Sequence, residues 1–256
     1  MSALREPAHA PGTVSTNPAT GAVFAEHAFA SDAQLEDLLD IANTGFGAWR
    51  ATPSEVRAGV FRNMSAILRR RIDELAAMAT REIEKPIAQA RGEVDKCAIL
   101  CDWYAEHGPG LLADEKTSVD GEQAYVSYLP LGTILAVMPW NFPYWQAMRG
   151  AVPILMGGNA FLLKPAGNVV GSARLLEEAW REAGLATGAF VVAHLAHAQT
   201  RRAITDDRIA AVTVTGGIAA GALIASQAAS VLKKSVLNWA ARTRSSFWPM
   251  LISTRR

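Results

Sequence analysis

The sequence is poor in cysteine, which limits the thiol and metal chemistry it can perform. Only Cys97 and Cys101 occur in 256 residues, four apart in a segment of helical periodicity, so they share one helix face. Even with His107 they lack the fourth donor of a closed zinc site, and neither lies at a helix N-terminus or beside a base, where thiolates form. We interpret both as buried structural thiols without a nucleophilic role, and we predict no metal site.

The chain also lacks an excess of charge of one sign and any long apolar run. Its formal net charge is +1 and its basic residues are scattered, so nucleic acid is not an expected partner. Charged residues, proline and glycine interrupt every apolar run before the roughly 20 residues that span a membrane. The N-terminus has no signal-peptide core. These features predict a soluble, cytoplasmic globular protein without a membrane segment.

The first third of the chain has helical periodicity after an extended lead-in. Residues 1–30 contain turn signals, with NPATG predicting a turn at 17–21. Apolar residues then recur at three- and four-residue intervals, which predicts helices over 32–49, 53–81 and 82–106.

From residue 121 the pattern changes to short strands that alternate with helices. EQAYVSYLPLGTILAVMP reads as two consecutive strands around a Pro-Leu-Gly turn. Three further apolar strands and a final one at KKSVL follow, separated by predicted helices over 143–156, 171–183, 198–204 and 218–229. This alternation predicts an α/β fold with a Rossmann-like, doubly wound parallel sheet.

Three motifs stand where strands of this sheet end. PWNFP holds Asn141 between two prolines, where its amide could donate to a developing oxyanion or form a rigid turn. LLKPAG places Lys164 at a strand end, suited to ribose or phosphate or simply solvated. TVTGGIAAG places Gly216 and Gly217 at a helix N-terminus, as a pyrophosphate site or an ordinary turn.

A regular helix after PWNFP would put Asn141, Trp145 and Arg149 at positions i, i+4 and i+8 of one face. An arginine on the face that carries the amide could hold an anionic substrate tail by a bidentate pair. The alternative is a solvated surface arginine.

The order PWNFP, LLKPA, VTGG closely resembles the cofactor-binding half of the aldehyde dehydrogenase superfamily over residues 13–237. TREIEKPIAQARGEV, CDWYAEHGP and MRGAVPILMGGN look like its bacterial NAD(P)-dependent succinate-semialdehyde dehydrogenases. The resemblance implies a small aldehyde substrate, oxidised to the acid with NAD or NADP. It implies Asn141 as the catalytic oxyanion-hole amide. It implies a cofactor site at Trp140, Lys164, Ala166, Gly167, Gly216 and Gly217, and a substrate site at Arg149, Trp145 and Phe142.

Two departures from the family pattern affect the implied cofactor site. Gly167 stands where many relatives have a glutamate that accepts the ribose hydroxyls of NAD, so the choice between NAD and NADP stays open. Gly217 replaces the serine of the usual TGS, which removes one hydroxyl contact.

The resemblance implies four segments. They are a helical part of the cofactor-binding domain at 1–120, an oligomerisation hairpin at 121–131, a Rossmann-like core at 132–237 and a non-family tail at 238–256. The family is homo-oligomeric, which leaves pairing with full-length relatives as a hypothesis.

The tail carries neither the cysteine nucleophile nor the general-base glutamate that the family places after residue 237. It reads LNWAARTRSSFWPMLISTRR from Leu237 and contains no acidic residue. With suitable codons, one restored base after the codon for Leu237 returns the family-like LELGGSDAFIV. We therefore hypothesise a frameshift, and expect a truncated, inactive fragment that lacks its catalytic domain and is poorly soluble. The alternative is a non-catalytic dinucleotide-binding or interaction module.

Overall fold

The computed structural model describes residues 12–119 and 122–239. The strands are β1 (Gly12–Thr16), β2 (Val23–Ala28), β3 (Glu115–Val119), β4 (Glu122–Val126), β5 (Thr133–Val137), β6 (Ala160–Lys164), β7 (Phe190–Val192), β8 (Ile209–Gly216) and β9 (Lys234–Trp239). The helices are α1 (Asp32–Arg50), α2 (Ser54–Arg70), α3 (Ile72–Ile83), α4 (Ile87–Leu111), α5 (Pro143–Met156), α6 (Val170–Glu182), α7 (His197–Thr205) and α8 (Ile218–Ser230).

A five-stranded sheet organises the second half of the chain. Its order is β7-β6-β5-β8-β9, and every neighbouring pair is parallel. Strands β5 and β6 are almost wholly buried, as expected for a parallel sheet that is covered on both faces. The predicted α/β class with a doubly wound parallel sheet is confirmed.

Two apolar cores lie on the two faces of this sheet. On the first face α5 and α6 pack against side chains such as Ala136 and Phe161, with α2 and α4 outside them. On the second face α1, α7 and α8 pack against side chains such as Leu135 and Leu162. Because strand side chains alternate, each strand residue can be assigned to one face from its neighbours.

The helical first part has more breaks than the periodicity predicted. The expected helix over 53–81 is two helices, because Arg71 ends α2 and begins α3. The expected helix over 82–106 begins only at Ile87, because Glu84 adopts the left-handed conformation with φ 55° and Pro86 follows. Arg71 is neither glycine nor proline, so the sequence carried no signal for the first break.

The lead-in and the hairpin are also β structure. The predicted turn at 17–21 is confirmed, since it joins β1 and β2 into an antiparallel pair. The hairpin was predicted at 121–131, but the structure has it earlier in the chain. The observed hairpin pairs β3 with β4, while β5, the next strand, belongs to the large sheet. The helical part therefore ends before residue 115.

Both cysteines lie within α4 and are fully buried, which confirms their predicted burial. Burial raises the pKa of the Cys97 and Cys101 thiols, so neither forms a thiolate near neutral pH. Among the described residues no three side chains of His, Cys, Asp or Glu cluster as metal ligands. None of the helices in that same part of the chain has the length and apolar character to cross a bilayer.

The final strand extends further than KKSVL. Asn238 and Trp239 continue β9 and pair with Thr215 and Gly216 of β8. Pairing with β8 uses only backbone groups, so it does not require a family-like side chain here. Residues 240–256, which hold most of the predicted non-family tail, lie outside the described residues. The expected loss of activity and poor solubility caused by that tail therefore stay predictions.

Candidate functional site

The three strand-end motifs meet at one edge of the large sheet, which we call the carboxyl edge. Val137, the last residue of β5, pairs with Lys164 on one side and with Val214 on the other. The N–H of Met138 donates to the carbonyl of Lys164 at 3.1 Å, which ties the start of PWNFP to the end of β6. Parallel strands end on the same side, so Asn141, Lys164 and Gly216 all open onto this edge.

The motifs divide between the two faces at that edge. Lys164 follows Leu162 in alternation and therefore lies on the second face, which α8 also covers. Arg149 belongs to α5 on the first face and donates to the hydroxyl of Thr215 at 3.3 Å. A ligand that reaches both must therefore pass the end of β5, where Asn141 lies.

Four helices, α5, α6, α7 and α8, follow parallel strands of the sheet and begin at its carboxyl edge, and their N-termini differ. The Glu93 carboxylate accepts from the N–H groups of Tyr144 and Trp145 at 2.8 Å and caps α5. The Glu82 carboxylate accepts from Gly171 at 2.7 Å and from Ser172 at 3.1 Å and caps α6.

Helices α7 and α8 have no carboxylate cap from the described residues, and the N-cap of α7 is Ala196. Helix α8 is the one that begins at a glycine turn. Its N-cap is Gly217, which has no side chain, and no described side chain accepts from its first turn. A β-carbon added to Gly216 or Gly217 would meet nothing within 4 Å, so the backbone is open to a ligand. Free N–H groups and the helix dipole favour an anion at such a terminus.

Lys164 is a half-buried cation without a partner in the described chain. Burial alone lowers the pKa of its ammonium group, since no carboxylate of the described residues lies close enough to oppose the effect. Its charge also helps to lower the pKa of His194, after burial of that imidazole. The cation is therefore available to an oxygen-rich ligand at the end of β6.

The loop after Lys164 is closed by the N-terminal hairpin. The Thr13 hydroxyl donates to the carbonyl of Gly167 at 2.7 Å, and a β-carbon at Gly167 would lie 2.6 Å from the Thr13 methyl group. Ala166 is half-buried, and its carbonyl accepts from Val169 at 3.1 Å. The glycine at this position thus has a packing reason in addition to any effect on the cofactor.

The helix-face prediction for Asn141, Trp145 and Arg149 is wrong. Helix α5 begins at Pro143, so Asn141 precedes it in the bend and is exposed, as are Trp140 and Phe142. Trp145 lines a small cavity together with Phe142, against α4, whereas Arg149 lines a different cavity.

The cavity beside Arg149 has a volume of about 450 Å³ and mainly apolar walls, including Leu131, Met138 and Val236. The guanidinium donates to the side-chain oxygen of Gln146 at 3.0 Å. It also donates to the side-chain oxygen of Asn238 when the Asn238 amide is oriented with that oxygen toward Arg149. These partners are neutral, and no described carboxylate pairs with Arg149. The cation can therefore attract an anionic group into an apolar cavity.

Sequence reasoning missed three charged residues at the carboxyl edge: Lys85, Glu82 and Glu93. All three are buried, yet in the sequence they look like ordinary polar positions of an amphipathic helix. The one available signal was the EKP segment at 84–86, where a proline follows two charged residues and interrupts the helical pattern.

The aldehyde dehydrogenase family matches residues 6–244 of the chain. A succinate semialdehyde dehydrogenase [NAD(P)+] of Escherichia coli is 50% identical over 88% of this chain and 48% of its own length. A probable succinate-semialdehyde dehydrogenase [NADP(+)] of Synechocystis is 43% identical over 86% of this chain and 49% of its own.

Solved structures agree with these sequence relatives. The crystal structure of succinic semialdehyde dehydrogenase from Streptococcus pyogenes, in complex with NADP+, has a TM-score of 0.85 at 35% identity. The match covers 88% of this chain and 50% of that one. The chain thus spans about half the length of the relatives it matches, and those relatives are NAD(P)-dependent. On the extent of the family match and these identities, the chain belongs to the aldehyde dehydrogenase family.

Proposed function

We propose that the chain forms the dinucleotide-binding half of an NAD(P)-dependent dehydrogenase that oxidises succinate semialdehyde. The observation that carries this proposal is the meeting of Asn141, Lys164 and the open N-terminus of α8 at one sheet edge. Of the helices that begin at this edge, α5 and α6 are capped by protein carboxylates and α8 is not. Helix α7 also lacks a side-chain cap in the described chain, but its N-cap is Ala196, whereas α8 begins at the open glycine turn of VTGG, which suits an external anion.

Within this proposal the second face holds the dinucleotide. Lys164 binds the adenine ribose or its 2′-phosphate, with Trp140, Ala166 and Gly167 around it. Gly216 and Gly217 let the pyrophosphate approach the backbone of α8. When bound, the nicotinamide supplies the hydride acceptor of the reaction. The unpaired cation and the open glycines fit such a ligand.

The first face and the edge hold the aldehyde. The Asn141 carboxamide makes no hydrogen bond to the described residues and is free to donate to an aldehyde oxygen as that atom becomes negative. Arg149 attracts the substrate carboxylate into its apolar cavity by a charge-assisted hydrogen bond. Phe142 and Trp145 line the neighbouring cavity and would contact the substrate only from the side of α4.

We further propose that this 256-residue chain does not oxidise the aldehyde unaided. Its only cysteines are Cys97 and Cys101, and burial within α4 holds both as neutral thiols. Asn238 stands where the family-like frame would place the general-base glutamate. The frameshift stays a prediction, which the nucleotide sequence around codon 238 checks.

Calorimetric titration with NADP+ and NAD+ tests the proposal. We expect binding to the unaltered chain and about tenfold weaker binding to Lys164→Met, which corresponds to about 1.4 kcal/mol. Lys116→Met, which removes an exposed lysine of the β3–β4 hairpin, is the matched control and should bind like the unaltered chain. Equal affinity of the two variants would reject the role of Lys164. Formation of reduced cofactor with succinate semialdehyde would reject the proposed inactivity.

A second candidate function is a non-catalytic interaction module that pairs with full-length relatives. The exposed apolar side chains at and after β4 favour it, since Tyr125 is 64% and Leu129 81% exposed. Co-purification with a full-length homologue, lost on Leu129→Glu, would support this candidate, and a strictly monomeric chain in such a mixture would count against it.

A further inference from the structure

A buried lysine from the link between α3 and α4 contacts the bend that carries Asn141, and we call this contact the grip. Lys85 Nζ donates to the backbone carbonyl of Asn141 at 3.3 Å and lies 3.6 Å from the centre of the Phe142 ring. The same ammonium group forms an ion pair with Glu93, and the two side chains are only 6% and 1% exposed. A cation, a carbonyl dipole and an aromatic face thus converge on one bend.

The local backbone around Lys85 places the lysine there. Helix α3 ends at Glu84, whose φ of 55° is uncommon for a residue with a side chain. The Thr80 hydroxyl donates to the carbonyl of Lys85 at 2.8 Å, and Pro86 then prevents α3 from continuing. This short link between α3 and α4 directs the lysine inward toward the start of α5.

The prolines on either side, Pro139 and Pro143, restrict the backbone of the bend, but the side chains between them are not buried. Trp140 is 53% and Phe142 43% exposed, and Asn141 is exposed as well, so burial of side chains does not fix their direction. Within the described chain the side chain of Asn141 makes no hydrogen bond. Between the two prolines, the hydrogen bond from Lys85 is the side-chain contact that holds the carbonyl of Asn141, and it orients the peptide between Asn141 and Phe142.

We propose that Lys85 is a positioning residue for Asn141. By holding the carbonyl of Asn141 it fixes the direction in which the carboxamide projects at the carboxyl edge. Glu93 acts with it by keeping the ammonium group in place and by capping α5 directly after the bend. The inference rests on the proposed function only for the chemical use of the Asn141 amide, because the grip itself is a property of the chain.

Backbone relaxation of the chain labelled with 15N-asparagine and 15N-phenylalanine tests the proposal, because the N–H of Phe142 belongs to the peptide unit that carries the Asn141 carbonyl. In Lys85→Met the order parameters of the Asn141 and Phe142 amides should fall from about 0.85, typical of rigid backbone, to below about 0.6. Asn63 and Asn159, which hydrogen-bond elsewhere, should keep their values. Lys85→Arg keeps a cation near the carbonyl and should restore the rigidity of Asn141.

Arg91→Met is the matched control, because it breaks an exposed ion pair with Asp73 between the same two helices. It should leave Asn141 rigid. If Lys85→Met does not fold, Lys85→Met combined with Glu93→Gln removes both charges of the buried pair, retains an oxygen that can cap α5 and should show the same mobility of Asn141. An Asn141 amide in the folded lysine variant as rigid as in Arg91→Met would overturn the proposal.

These outcomes are separate from those of the proposed function. The relaxation measurement needs no dinucleotide, so a chain that shows the expected mobility but binds neither NADP+ nor NAD+ would refute the cofactor site alone. A chain that binds NADP+ and keeps Asn141 rigid without Lys85 would refute the positioning role alone.

Discussion

Two neighbouring helices, α5 and α6, are each capped by a buried glutamate, but only one of these glutamates has a cation beside it. Glu93 caps α5 and pairs with Lys85, whereas Glu82 caps α6 and has no ion-pair partner among the described residues. Glu82 is stabilised instead by neutral donors, including the hydroxyl of Ser172 at 2.6 Å. The cap of α5, after the Asn141 bend, is thus a glutamate paired with a cation, which we call the charged clamp. The cap of α6, after the Lys164 loop, is a glutamate held by neutral donors, which we call the neutral clamp.

Removal of the clamped carboxylate should have the largest effect on stability. Glu93→Ala leaves the Lys85 ammonium group buried without a counter-ion and the first N–H groups of α5 without an acceptor. We expect a loss of about 3–5 kcal/mol in the free energy of unfolding, the usual cost of breaking a buried pair. Urea denaturation measures it.

The exposed pair between Arg91 and Asp73 provides the control for that measurement. Asp73→Ala should cost at most about 1 kcal/mol, because solvent screens exposed ion pairs. Equal losses for the two alanine variants would mean that the buried clamp has no special part in the fold.

Removal of the neutral clamp should cost less. Glu82→Ala leaves the N–H groups of Gly171 and Ser172 without their acceptor, but it also relieves a carboxylate that is buried without a cation. We expect a loss of about 1–2 kcal/mol, within the range of helix-capping groups. If denaturation showed Glu82→Ala to be less stable than Glu93→Ala, the contrast between the two clamps would be reversed.

Helix α8, which also begins at this edge, has no clamp, so a substitution there should affect binding rather than stability. Gly216→Val adds a side chain in open space, on the face that carries Lys164. We expect an unchanged melting temperature and about tenfold weaker binding of NADP+, or about 1.4 kcal/mol. Ser226→Val, on the exposed side of α8 away from its N-terminus, is the control. Unchanged NADP+ affinity of Gly216→Val would indicate that the dinucleotide does not approach this turn.

The contrast among these helix termini explains which parts of the molecule the sequence could predict. Periodicity predicted the sheet and most helices, and three strand-end motifs predicted the residues at the carboxyl edge. The clamps could not be predicted, because Glu93 caps a residue 51 positions away and Glu82 one 89 positions away. The wrong prediction that Asn141 and Arg149 share one helix face has a similar cause. Helix α5 begins only after the bend, and the bend is held by Lys85 and Glu93, which are distant in sequence.

The difference between the clamps should also appear in the pH dependence of stability, as the smallest effect. Burial raises the pKa of the Glu82 carboxyl above its ordinary value of 4.5, more than its hydrogen bonds lower it. The folded state therefore binds a proton more readily than the unfolded state, and this group favours folding more as pH falls from neutral toward 4.5. In Glu82→Gln, which cannot titrate, that contribution is absent. The difference in unfolding free energy between the unaltered chain and Glu82→Gln should shift in favour of the unaltered chain as pH is lowered over this interval. A difference that stays constant across this interval would show that the carboxylate remains charged in the fold without the help of a cation.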